Sequence, residues 1–135
     1  LEKELSSLEN DLSRIQKSKE SNKADIINEK ENLTLQKGEI DIVSSSLSEQ
    51  QSLLNSMAEG PEKKEKAGFI KDLEKRKKKA ENSIESSEKK INKSENEIEE
   101  ATAAIPVNES KQDEIREKIT RQDLIYQQFV LPVLH

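Results

Sequence analysis

Residues 26–57, IINEKENLTLQKGEIDIVSSSLSEQQSLLNSM, decide how this chain folds. Ile26, Leu33, Ile40, Leu47 and Leu54 recur every seven residues, and Val43 and Met57 fall at the alternate apolar position of the same repeat. The pattern extends upstream through Leu12 and Leu5, broken only by Lys19, with Leu1, Leu8 and Ile15 at the alternate position. A strict seven-residue repeat makes a narrow, supercoiling apolar seam that cannot close a globular core. A second helix must bury it.

The chain supplies one. Ile70, Ile84, Ile91, Ile98 and Ile105 repeat the same spacing, with Lys77 the exception. Between the two runs lies Gly60-Pro61, which stops a helix because glycine suits the cap and proline cannot continue the ladder. The expected fold is all-α: one long antiparallel coiled-coil hairpin with a proline-interrupted returning helix. Its outgoing helix spans 1–58, the turn 59–68 and the returning helix 69–104, with a start as early as Pro61 an alternative. Pro106 then sets a break at 105–110, and a terminal helix follows at 111–131. At about 1.5 Å per residue the arm is roughly 90 Å long.

Folding at a ten-residue turn predicts the facing pairs. Leu54 meets Leu73, Leu47 meets Ala80, Ile40 meets Ser87 and Leu33 meets Ser94, so large residues mostly oppose small ones. Beyond Pro106 the same alignment sets Lys19 against Asn108, Leu8 against Ile119 and Leu1 against Tyr126. Off the seam, Leu35 and Ile42 stand seven residues apart and offer a foothold for a third helix or a second hairpin.

Composition supports a coiled coil over a compact domain. Apolar residues make up 30% and charged residues 38%, and there is no tryptophan to fill a core. The chain has no cysteine, so no disulfide framework or cysteine-based metal site is expected. It has no apolar run of transmembrane length. With no signal peptide visible, the expected setting is intracellular, cytoplasmic or nuclear. Leu1 opens in mid-heptad, which reads as an excised piece of a longer protein.

Two regions are candidate contact sites. The turn region is basic: Lys63, Lys64, Lys66, Lys71, Lys75, Arg76, Lys77, Lys78 and Lys79 stand among four acids from Glu62 to Lys79, although the chain carries −5 overall. Such a cluster suits an acidic protein tail, an anionic surface or a nucleic-acid backbone, and Lys75–Lys79 also fits a short nuclear-import run. The far end is apolar all round: Leu124, Ile125, Val130, Leu131 and Leu134 cannot face the seam that Tyr126, Phe129 and Val133 continue. Such a patch marks a contact with a partner protein, the remainder of the parent protein, or a second copy through 124–134.

No nucleophile–base pair, phosphate loop or metal-ligand spacing is present, and the one histidine is terminal His135. No enzyme activity, cofactor or metal is expected. The sequence therefore supports a structural arm or spacer that docks protein at its tip or base. A nucleic-acid- or anionic-surface-binding module acting through 63–79 is the first alternative. A parallel homodimeric tether, in which the turn is a mere break, is the second.

Overall fold

A computed structural model describes Leu1–Leu134; the side chains of Val130, Leu131 and Leu134, and all of His135, lie outside the described part. The protein is an all-α antiparallel coiled-coil hairpin. Helix α1 spans Glu2–Ser56 and helix α2 spans Pro61–Ile125. A π-helical turn, Tyr126–Val130, and the short α3, Leu131–Leu134, follow. Glu2 and Glu4 in the first turn of α1 favour its positive N-terminal end. The long apolar repeat then propagates the helix by packing against α2 more than by propensity.

The connector is only Met57–Gly60, shorter than the expected 59–68. Met57 closes α1 by donating its backbone N–H to the Leu54 carbonyl at 3.1 Å. Gly60 has φ +157°, a value that side-chain-bearing residues rarely adopt, and its carbonyl accepts the Lys64 N–H at 3.3 Å. Pro61 then occupies the first helical position, where its missing N–H costs nothing and its fixed φ is already helical. Gly60→Ala strains this cap, and we expect a loss of about 1 kcal/mol. A urea titration reads it as a lower midpoint with an unchanged slope.

Pro106 does not break α2, which runs unbroken through the expected interruption at 105–110 and takes in the expected terminal helix to Ile125. The reason is its placement. Pro106 and Thr102 are both exposed, so water can satisfy the Thr102 carbonyl that proline leaves without a donor. The Thr102 hydroxyl donates to the Ile98 carbonyl at 2.7 Å, one turn back. Because the lost bond is already solvated, Pro106→Ala should stabilise the hairpin by only about 1–2 kcal/mol, below the full interior-proline penalty of about 3. The urea midpoint should rise accordingly. Pro132 is placed differently: the turn before it, Tyr126–Val130, is π-helical.

The chain packs as two units, Asp25–Lys93 around the connector, and Leu1–Ala24 with the returning chain from Ser94. In the connector unit the buried residues are Val43, Ile70, Leu73, Ala80, Ser87 and Ile91, all on the expected seam. Their alignment differs from the expected one by a heptad. Asn32 Nδ2 donates to Ser87 Oγ at 2.7 Å and reaches Ser83 Oγ at 3.4 Å. Lys90 Nζ lies 3.7 Å from Glu29 Oε1. These contacts set Leu33 level with Ser87, Ile40 with Ala80 and Leu47 with Leu73. The expected partners stand one heptad away, about 10 Å along the helix.

The cause is the early start of α2. With Pro61 already helical, the seam closes from the connector outward, and Lys63 and Lys66 occupy its first layers. Their stems are partly buried, and the Lys66 ammonium is held by Gln50 Oε1 at 2.6 Å. Leu33 beside Ser87 and Ile40 beside Ala80 still pair large with small. The α1 seam that a parallel dimer would use is occupied by α2 of the same chain.

In the unit holding both termini, Asn22, Ser94, Ala101, Asn108, Gln112 and Ile115 are buried. The heptad displacement holds here also. Asn108, expected opposite Lys19, donates its Nδ2 to the Leu8 carbonyl at 3.0 Å. Leu1 shares a shallow groove with Ile119 and Asp123, not with Tyr126.

Candidate contact surfaces

The nine basic residues of the turn region divide by position. Three are engaged. Lys63 pairs with Glu59 at 3.0 Å, Lys66 with Gln50, and Arg76 with Glu39 through Nε at 3.0 Å and Nη2 at 2.5 Å. Lys77 lies half-buried on the seam, level with Val43, which is 0% exposed. The other five, Lys64, Lys71, Lys75, Lys78 and Lys79, are exposed and make no ion pair among the described residues. Seven-residue spacing puts Lys64, Lys71 and Lys78 on one line of α2, with Lys75 and Lys79 a turn apart beside them. The result is a solvated cationic strip.

At the other candidate surface, Leu124 and Ile125 are exposed, as are Tyr126, Phe129 and Val133. Ile119, Gln122 and Asp123 line one groove with Leu1, and Tyr126, Phe129 and Val133 continue the seam positions of α2 after it. Val130, Leu131 and Leu134, expected in this patch, have side chains outside the described part.

Two arrangements were not anticipated. The first is a polar chain across the terminal unit. Asn108 Oδ1 accepts from Gln112 Nε2 at 2.7 Å, and Gln112 Oε1 accepts from Arg116 Nη2 at 2.7 Å. Arg116 Nη2 also lies 3.5 Å from Glu9 Oε1 on α1. The four-residue spacing of Asn108, Gln112 and Arg116 is the sequence signal for it. Satisfied throughout, the chain ties α2 to α1 at a fixed alignment. The second is an apolar side of the connector unit. Leu53 and Phe69, both half-exposed, each stand one residue before a seam position, and antiparallel pairing puts those two positions on the same side.

Among the described residues, no cluster of three or more acidic, histidine or cysteine side chains is arranged to hold a metal ion. No helix there is long and apolar enough to cross a membrane. No family model, curated protein or solved structure matches the chain.

Proposed function

We propose that the chain is a coiled-coil arm or spacer of a larger protein, one that makes protein–protein contacts at its tip or base. The observation that carries this reading is the exposed apolar run at Leu124, Ile125, Tyr126 and Phe129, directly after the residues that flank Leu1. A hairpin brings its incoming and outgoing strands together, and an apolar surface there suits attachment to a body or a partner. The basic run Lys75–Lys79, exposed except at half-buried Lys77, fits a cytoplasmic or nuclear setting.

The test is dye binding. A fluorescent apolar probe such as anilinonaphthalene sulfonate should brighten with the chain. It should lose more than half that signal with Leu124→Ser, Ile125→Ser, Phe129→Ser, while helicity and melting midpoint hold. An undiminished signal removes the base as a contact surface.

The cationic strip favours a second reading, binding of a nucleic-acid backbone or anionic membrane. Fluorescence anisotropy with a 20-base-pair duplex and co-sedimentation with phosphatidylserine vesicles separate the two. The arm reading expects at most weak binding that vanishes at physiological salt. Tight binding abolished by Lys71→Glu, Lys75→Glu, Lys78→Glu, Lys79→Glu would install the second reading instead.

A further inference from the structure

Residues 124–134, LIYQQFVLPVL, contain no charged side chain, whereas 38% of the whole chain is charged. The seam positions of α2 continue through this run at Tyr126, Phe129 and Val133, with Ile125 on their flank. Ile125 is 55% exposed, Tyr126 48%, Phe129 67% and Val133 82%. Leu124 is exposed too, but it falls on the outer side of the helix. The π-turn Tyr126–Val130 lies inside the same run, and such turns gather at functional segments.

We propose that this run joins two copies of the chain, laid antiparallel about a two-fold axis. The inference rests on the base reading above and names its partner. Three observations choose a second copy. The first is continuity. The seam by which α2 packs on α1 runs on into 126–133, and antiparallel pairing sets first seam positions against second ones. With the axis between Gln127 and Gln128, Tyr126 of each copy meets Phe129 of the other. Val133 of each copy then meets Gln122 of the other, beside the groove that Gln122 lines with Leu1. The run therefore completes itself, as an isologous contact requires, and its centre holds two aromatic pairs.

The second observation is charge. A two-fold contact brings a patch against its own copy, so a patch of one sign repels itself. This run carries no sign. The nearest acidic or basic residues in the sequence are Arg121 and Asp123. Arg121 is paired with Glu117 at 2.7 Å. In the proposed pairing Arg121 and Asp123 lie level with positions 134 and 132 of the second copy, away from their own like charges. An unlike partner is ordinarily selected by opposite charge, and nothing in 124–134 would make that selection.

The third observation is area, taken as apolar against apolar. A standard complex buries about 800 Å² on each partner, and in homodimers about 65% of that is apolar, on the order of 500 Å². Ile125, Tyr126, Phe129 and Val133 together expose on the order of 400 Å². Leu124 is left out because a single partner helix does not reach it. The contact thus falls at the small end of the stable range, and the dimer should dissociate at tens of micromolar, roughly.

The test is sedimentation equilibrium of the full chain from about 5 to about 200 µM. The chain should dimerise reversibly across this range. Phe129→Glu sets a carboxylate against each Tyr126 and should weaken the dimer at least tenfold. Leu35→Glu with Ile42→Glu, exposed positions outside the run, should leave it unchanged. Circular dichroism melts at an unchanged midpoint confirm that each variant folds. Mixing tests the pairing. Tyr126→Lys should be as weak a dimer as Phe129→Glu. An equimolar mixture of the two sets lysine against glutamate in one layer and keeps tyrosine against phenylalanine in the other. It should form a heterodimer at least tenfold tighter than either variant alone. A monomer throughout the range overturns the second copy, while the dye test on the dilute chain decides the base reading by itself. A dimer that survives Phe129→Glu overturns the site. A mixture no tighter than its components overturns the antiparallel pairing.

Discussion

A chain carrying Leu33→Cys and Ser87→Cys should close an intramolecular disulfide rapidly under mild oxidation, whereas Ile40→Cys with Ser87→Cys should not. Both variants share one cysteine and differ by a heptad in the other. A disulfide requires Cα atoms about 4.4–6.8 Å apart, and a heptad of helix is about 10 Å long. Only one of the two pairs can therefore close without moving the backbone. The bond from Asn32 to Ser87 at 2.7 Å sets Leu33 as the near partner. The readout is the mobility of the unreduced protein on a denaturing gel, with sedimentation to separate intramolecular from intermolecular products. Closure of the Ile40 pair alone would return the hairpin to the longer-turn alignment. Disulfide-linked dimers alone would remove the hairpin.

Asn108→Ala should cost about 2–3 kcal/mol, a large share of a typical folding free energy of about 5–15. The side chain is buried, donating to the Leu8 carbonyl and accepting from Gln112. Its truncation leaves Gln112 Nε2 with no acceptor in a site only 3% exposed, which costs about 1–3 kcal/mol before any cavity is counted. Urea denaturation measures the loss. Replacing both amides by leucine should behave in the opposite sense, because removing both members of a buried polar pair is near neutral or stabilising. What that variant gives up is alignment. On its background, Leu5→Cys with Ile115→Cys and the heptad-displaced Leu12→Cys with Ile115→Cys should both cross-link, whereas the native background closes the first alone. Exclusive closure of the first pair in the leucine variant would show that the amides do not set the alignment.

The sequence exposes which residues enter the seam. Val43, Ile70, Leu73, Ala80, Ser87 and Ile91 are buried where the heptads put them, since burial follows from phase alone. Alignment is a different kind of information. A seven-residue repeat leaves partners undetermined to within whole heptads, and only connector length and polar cross-links choose among them. Glu59–Gly68 lacks an apolar seam residue, and this predicts a ten-residue connector. Lysine stems at Lys63 and Lys66 fill those layers instead, a substitution that hydrophobicity does not register. Pro106 predicts a break because proline usually makes one; that it faces water follows only from the packed phase of α2. Of the contact surfaces, the lysine strip and the apolar end were legible as composition. That Leu53 and Phe69 share a side with Leu35 and Ile42 depends on antiparallel pairing, so that apolar side emerges only once both helices are placed.

The tight connector has one more consequence, for how such a chain can change length. With Gly60 and Pro61 fastening one arm directly onto the other, no slack remains to absorb unequal growth. A duplicated heptad in α1 alone would push every later layer out of step with its polar cross-links or leave a turn of helix unpaired. Duplicating seven residues in both arms at the same level would lengthen the protein and leave each existing layer with its own neighbour. Viable natural or engineered length variants of this hairpin should therefore differ in matched pairs of heptads, one added or removed on each side of Gly60.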